Sequence, residues 1–262
     1  MSKDLAAELE YQARHAAGVA DIKPVLAATL ERYRTCPEAE IYRKEFVFRL
    51  IHDLQPRTIL DFGCGDGENS VQLGLLGYDV TGFDVSPEYV DLAQRRLVVN
   101  QTGGRVRFLI SAGAELQLPE NAFDVALVSL VLHHVELRPC LEALRKRVKP
   151  GGSLVIVEPV AYSSALQKLR DLTPVEKDIS PNERQLNQRD IGVIGEYFDI
   201  VRVRHFRLLS RLDRLLPSKP AALRHAIERG LLWIDRLLLA LPGMSYFAAT
   251  VVLLARKPAD AQ

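Results

Sequence analysis

Cysteine is scarce, with three residues (Cys36, Cys64 and Cys140) in a chain of 262. They are odd in number and far apart, and form neither a CxxC pair nor a Cys/His spacing suited to zinc. This argues against a disulfide framework and against a metal site. Long apolar runs are also missing: no stretch reaches the roughly 20 uninterrupted apolar residues that a bilayer span requires, so any membrane contact would be peripheral. Excess charge is absent as well, because 34 Lys and Arg offset 33 Asp and Glu to a net +1. Without a basic run at either end, the chain lacks the electrostatic footprint of a nucleic-acid binder. The opening MSKDLAAELEYQARHAAGV scatters charges and holds no apolar core of the secretory kind, which reads as a cytoplasmic protein.

What the chain does hold is 48% apolar residues arranged with a clear alternation. From 58 to 158, apolar runs of strand length alternate with helical patterns, as in a parallel sheet covered on both faces. Strands are predicted at 58–62, 79–83, 106–110, 125–131 and 153–157, and helices at 69–76, 87–100 and 137–148. The last helix is expected to stop at Lys149-Pro150-Gly151-Gly152, where proline and glycine forbid its continuation. Right-handed crossovers would order the five strands. Amphipathic patterns at 5–17, 22–33 and 40–54 precede this core. After it come a polar stretch (161–187), a helix at 188–197 and strands at 200–205 and 248–255.

The first strand runs into ILDFGCGDGENS, which sets Gly63, Gly65 and Gly67 in a tight turn that opens a helix. Glycine suits a turn where backbone takes positive φ and a ligand must approach the main chain closely. Seventeen residues beyond Gly67, the second strand ends at Asp84 in VTGFDVS, where a carboxylate can accept from both hydroxyls of a ribose. A dinucleotide fingerprint would need glycine at position 68, but the residue there is Glu68. Glycine instead falls at every second position, giving D-x-G-x-G-x-G from Asp61 to Gly67.

With GFDVSPEYVDLAQRR, FDVALVSLVLHHV and LRKRVKPGGSLVIVEP following in order, the chain resembles the class I S-adenosylmethionine-dependent methyltransferases over about residues 46–159. The likeness is to the small-molecule group that includes ubiquinone and menaquinone methylating enzymes. It implies a Rossmann-like, doubly wound α/β fold with a seven-stranded, mostly parallel sheet, amino-terminal helices and a helical insertion between the last two strands. The implied segments are an amino-terminal cap (1–54), a cofactor-binding core (55–160), a linker with helix and strand (161–205), an amphipathic insertion (206–246), and a final strand and tail (247–262).

By the same resemblance, Asp61, Gly63 and Gly65 would hold the methionine end of S-adenosylmethionine, with backbone amides and carbonyls contacting its carboxylate and amino groups, and Cys64 would also belong to the cofactor site. Asp84 would bind the ribose and Val85 pack on the adenine. Ala114 and Glu115 stand where the family usually has an Asp-Ala-Glu segment for the adenine amino group, one residue out of the usual spacing, with Ser111 or backbone as the alternative. The stretch from Leu132 to His134 would lie beside the sulfonium.

His133 and His134 follow the fourth strand, at the edge where open α/β sheets bind ligands. An imidazole can take a proton from an acceptor near neutral pH, although a histidine at a strand end is often only a packed spacer. Glu158 ends the fifth strand and is a candidate for orienting the acceptor, for bonding one of the histidines, or merely for capping a loop. These three could be misread as metal ligands, but adjacent strand residues point to opposite faces, and no metal is expected. Tyr11, Tyr42 and Tyr162 read as packing residues.

Nucleic-acid amino methylases of the superfamily carry Asn or Asp, Pro-Pro and an aromatic after strand four, where this chain has Leu132-His133-His134-Val135. The acceptor is thus expected to be a small molecule. A catalytically silent scaffold is the alternative, opposed by an intact Asp61, Gly63, Gly65 and Asp84; a nicotinamide-dependent oxidoreductase is opposed by Glu68.

Between the last two strands, residues 206–246 hold leucines at helical spacing, with seven Lys and Arg against three Asp and Glu. Three roles fit this basic amphipathic composition: covering the core or pairing with a second subunit, lining a site for an apolar acceptor, or touching a membrane surface. A quinone, terpenoid, polyketide or fatty acyl acceptor would suit such a cap, as would a small thiol.

Overall fold

A computed structural model describes residues 10, 12–14, 16–19, 21–110, 118–162, 184–215 and 220–259. Seven strands form one sheet in the order β3-β2-β1-β4-β5-β7-β6. They are β1 (Thr58–Phe62), β2 (Asp79–Asp84), β3 (Val106–Ile110), β4 (Phe123–Ser129), β5 (Val148–Pro159), β6 (Asp199–Phe206) and β7 (Thr250–Arg256). Only β7 runs against its neighbours, pairing antiparallel with both β5 and β6. The carboxyl ends of the other six strands therefore share one edge, and the order reverses between β1 and β4, the point where such sheets bind ligands.

The central strands are apolar on both faces because helices cover both. Leu60, Ile59, Leu127 and Leu154 are wholly buried, each contributing on the order of 1.5–3 kcal/mol of transfer free energy. The helices are α1 (Ala27–Thr35), α2 (Arg43–Leu54), α3 (Glu68–Leu75), α4 (Pro87–Asn100), α5 (Leu137–Arg147), α6 (Gln188–Tyr197) and α7 (Ala221–Leu238). α4 begins where Ser86 accepts from the Tyr89 amide and Pro87 presets the first turn. α6 begins with a reciprocal capping box between Asn187 and Asp190.

Four elements depart from the sequence reading. The helix predicted at 22–33 begins only at Ala27, because Pro24 holds the preceding residues extended. β4 stops at Ser129 rather than 131, since Leu130 takes a left-handed φ of 62° and Leu132–His134 form a 3-10 turn. The Pro150-Gly151-Gly152 run does not lie between helix and strand; β5 starts at Val148 and passes through it, absorbing the irregularity as a register shift against β4. The 206–246 segment carries one long helix, α7, flanked by 3-10 turns at Ser210–Leu215 and Met244–Phe247. The pattern predicted at 5–17 lies largely outside the described residues, as does Tyr11.

Candidate active site

The glycine turn sits at the carboxyl end of β1 and is tied to β2 by its own backbone. The amides of Gly63 and Cys64 both donate to the Phe83 carbonyl, each at 2.8 Å. The Gly65 amide donates to Asp84 Oδ2 at 2.8 Å, and the Ser86 amide to Asp84 Oδ1 at 3.0 Å. Gly63, Gly65 and Gly67 all take positive φ. At Gly63 a Cβ would lie 2.3 Å from Val131 Cγ2, whereas at Gly65 nothing comes closer than 4.0 Å. The first glycine thus permits packing against the turn after β4, and the second leaves open backbone.

The amides of Gly63, Cys64 and Gly65 all donate within the protein. The sequence reading did not single out Arg43. Arg43, at the start of α2, is half-buried, and burial followed by the neighbouring Arg207 lowers its pKa. It has no acidic partner among the described residues. Its chain neighbour Lys44 bridges to Glu68, the first residue of α3, at 2.7 Å. A half-buried arginine without a counter-ion is a detectable signal in three dimensions; in sequence, Arg43 is one arginine among many.

Asp61 is buried and accepts from the Ser70 hydroxyl at 2.6 Å. Burial, reinforced by the nearby Asp84 carboxylate, pushes its pKa up to about 6 in spite of the Ser70 hydrogen bond. Cys64 is buried, and burial raises its thiol well above the ordinary range, so it packs in the turn as an apolar side chain. Val85 is half-buried and packs on the core cluster that includes Leu132. Ala114, Glu115 and Ser111 lie outside the described residues.

Past β4, Glu158 organises the 3-10 turn. It is fully buried; Oε1 accepts from the amides of Val131 and Leu132, each at 2.8 Å, and Oε2 lies 2.6 Å from His133 Nδ1. Of the roles open to Glu158 in the sequence, both the bond to a histidine and the cap on a loop are formed. His133 is buried and His134 exposed. Because they sit on a 3-10 turn and not a strand, they do not point to opposite faces; their ring centroids are 3.9 Å apart. Among the described residues no three His, Cys, Asp or Glu side chains are grouped to hold a metal ion.

A second cluster occupies the same edge at the ends of β5 and β6. The Tyr162 hydroxyl and His205 Nε2 are 2.9 Å apart, and the Tyr162 ring stacks on Tyr246, which meets Phe247 edge-on. Burial raises the Tyr162 pKa and lowers that of His205, which keeps both neutral near pH 7. Tyr162 therefore does more than pack, and nothing in the sequence pairs it with His205, 43 residues away.

A family profile described as a methyltransferase domain matches residues 60–156. The mitochondrial ubiquinone biosynthesis O-methyltransferase of Schizosaccharomyces pombe is 37% identical over 112 residues, which are 42% of this chain and 40% of that protein. The chain thus spans less than half the length of that relative. The ubiquinone biosynthesis O-methyltransferase of Hydrogenovibrio crunogenus is 30% identical over 190 residues, covering 65% of this chain and 77% of that protein. Among solved structures, a geranyl diphosphate C-methyltransferase from Streptomyces coelicolor A3(2) has the same fold. It superposes with a TM-score of 0.60 at 18% identity, over 95% of this chain and 97% of that one. Agreement with the bacterial relative over most of that protein's length places this chain in the class I S-adenosylmethionine-dependent methyltransferase family.

Proposed function

We propose that the protein methylates a small, apolar or lipid-like acceptor, using S-adenosylmethionine and releasing S-adenosylhomocysteine. The observation that carries this reading is the bond from the Gly65 amide to Asp84, which locks the glycine turn and the ribose-reading carboxylate into one unit. The surrounding groups suit the cofactor: two buried carboxylates on adjacent strand ends and open backbone at Gly65. When bound, the cofactor supplies a methyl group on a sulfonium sulfur that departs as a neutral thioether.

Asp84 accepts from the ribose hydroxyls, since two amide donors do not exhaust the acceptor capacity of a carboxylate. Asp61 and the Gly63 carbonyl face the cationic amino group, and Arg43 takes the carboxylate. Val85, Cys64 and Leu132 supply apolar walls, and Ala114 and Glu115 belong to the adenine end. On the acceptor side, Glu158 fixes His133 with Nδ1–H as donor, leaving Nε2 as the ring's basic nitrogen, oriented to take or hold an acceptor proton. His134 lies nearer to solvent. Direct transfer then rests chiefly on alignment of the three reacting atoms.

The neutral aromatic group of Tyr162, Tyr246 and Phe247 supports an apolar acceptor, and the relatives are named for ubiquinone biosynthesis. In this reading residues 1–54 cap the site, 55–160 bind the cofactor, 161–205 and 247–262 complete the sheet, and 206–246 flank the acceptor.

The test is calorimetric titration of S-adenosylhomocysteine into the protein and into Asp84→Ala, with NADH as control. Micromolar binding that Asp84→Ala weakens by about tenfold or more is the expected result. Binding of NADH instead, or of neither, would sink the proposal.

A further inference from the structure

The helix α7 (Ala221–Leu238) turns a broad apolar face to the surface. Its charged side chains are held in ion pairs or hydrogen bonds, Arg229 while still exposed. Asp235, buried, accepts from the amides of Leu208, Leu209 and Ser210 at 2.6–3.1 Å. Arg229 reaches Glu38 at 2.7 Å, Arg236 reaches Glu40 at 3.0 Å, and Arg224 pairs with Glu228 at 2.6 Å. Five of its large apolar side chains face away from the core, Leu223, Ile227, Trp233, Ile234 and Leu237 being 38–67% exposed, whereas Leu231, Leu232 and Leu238 are half-buried.

Taking 3.6 residues per turn, these five and the exposed small residues Ala222, Ala226 and Gly230 fall within an arc of about 140°. That arc holds no charged residue. A two-helix seam is narrower, confined to the first and fourth positions of each heptad, so the breadth of the face fits a surface better than a single partner helix. One border of the arc carries His225, Arg229 and Trp233 at four-residue spacing, all exposed, with Arg229 still 55% open while it bridges to Glu38. Acid is nearly missing: among residues 220–247 the acidic side chains are Glu228, which is paired, and Asp235, which is buried. The helix of 18 residues is about 27 Å long. Among the described residues no helix is long and apolar enough to cross a membrane.

We infer that α7 docks on an anionic lipid surface, lying flat with its apolar arc in the headgroup boundary and its basic border toward the phosphates. A broad apolar arc, basic flanking side chains and a border tryptophan are what that boundary stabilises. The chain leaving α7 continues through exposed Leu241 to Tyr246 and Phe247, and Tyr246 stacks on Tyr162 at the active-site edge. The docked face is thereby joined to the side of the site assigned to the acceptor. The docking itself does not depend on which acceptor is methylated.

Trp233 is the chain's single tryptophan, so its emission reports on this face alone. The full chain is mixed with vesicles of phosphatidylcholine, or of equimolar phosphatidylcholine and phosphatidylglycerol, and sedimented. The expected result is co-sedimentation with the anionic vesicles, weakened by salt, together with a blue shift of Trp233. Ile234→Glu combined with Leu237→Glu, both at exposed positions, should lower that partition by about tenfold or more while leaving S-adenosylhomocysteine binding unchanged. Loss of cofactor binding in the unmodified chain would overturn the catalytic reading alone. No sedimentation with either vesicle would overturn the docking, as would a solution dimer that the double variant returns to monomer.

Discussion

Glu158 holds His133 by its Nδ1, at 2.6 Å, with the same carboxylate that accepts the amides of Val131 and Leu132. One buried side chain therefore sets the backbone of the 3-10 turn and the tautomer of the imidazole together. Glu158→Gln keeps the shape and can still accept the amides, but its amide nitrogen would donate to Nδ1 and move the ring proton to Nε2. Nitrogen NMR of the histidine ring should show Nδ1 protonated in the parent protein and Nε2 protonated in the variant. A ring still protonated at Nδ1 in the variant would show that Glu158 does not set the tautomer.

Arg43 makes a prediction about which part of the ligand it contacts. Arg43→Gln should weaken S-adenosylhomocysteine by about tenfold, as expected for a lost charge-assisted bond, and leave methylthioadenosine, which lacks the amino-acid end, unchanged. Equal weakening of both would mean that Arg43 serves the fold and not the carboxylate.

At Asp61 the predicted effects on stability and on binding oppose each other. Its folded pKa of about 6 lies above the ordinary 3.8, so between these values the folded state holds a proton that the unfolded state has released. Stability contributed by this group is therefore present below pH 3.8 and lost as pH rises to 6. Asp61→Asn should raise the thermal midpoint at pH 8, by an amount corresponding to about 2 kcal/mol, and still accept from Ser70. The same change should weaken S-adenosylhomocysteine, whose cationic amino group favours the ionised acid. In the parent protein that affinity should grow as pH rises through 6. A pH-independent affinity would remove Asp61 from the amino-group contact.

Asp124 titrates in the opposite sense. Burial pushes its pKa up, but Lys149 Nζ at 2.6 Å and the amides of Arg57 and Thr58 outweigh this and bring it down to about 2. Its contribution is present above the ordinary value of 3.8 and lost as pH falls toward 2. Acid unfolding of Asp124→Asn, followed by circular dichroism, should show a smaller loss of stability across that interval than the parent. An identical acid transition would mean that the β1, β4 and β5 amino ends are held by other bonds.

Much of the fold was legible in the chain. Buried parallel strands must be apolar on both faces, so the run 58–62 announced β1 to the residue, and the run 106–110, exposed on one side, matched the edge strand β3. Local chemistry did as well for α4, where Ser86 and Pro87 mark the start. The glycine turn and Asp84 could be read because positive φ at fixed spacing is a requirement of the backbone alone. What the sequence could not give was any relation set by packing. Leu130 turns left-handed at the end of β4, and that one residue moves both histidines from a strand onto a turn. The inward amides at Gly63 and Cys64 and the bond between Tyr162 and His205 each depend on strands that the sheet order brings together. The orientation of α7 is the clearest case. Helical spacing fixed that it has an apolar face and a charged one, but only the three amides around buried Asp235 decided which face turned inward, because an unpaired buried carboxylate costs more than exposed leucine.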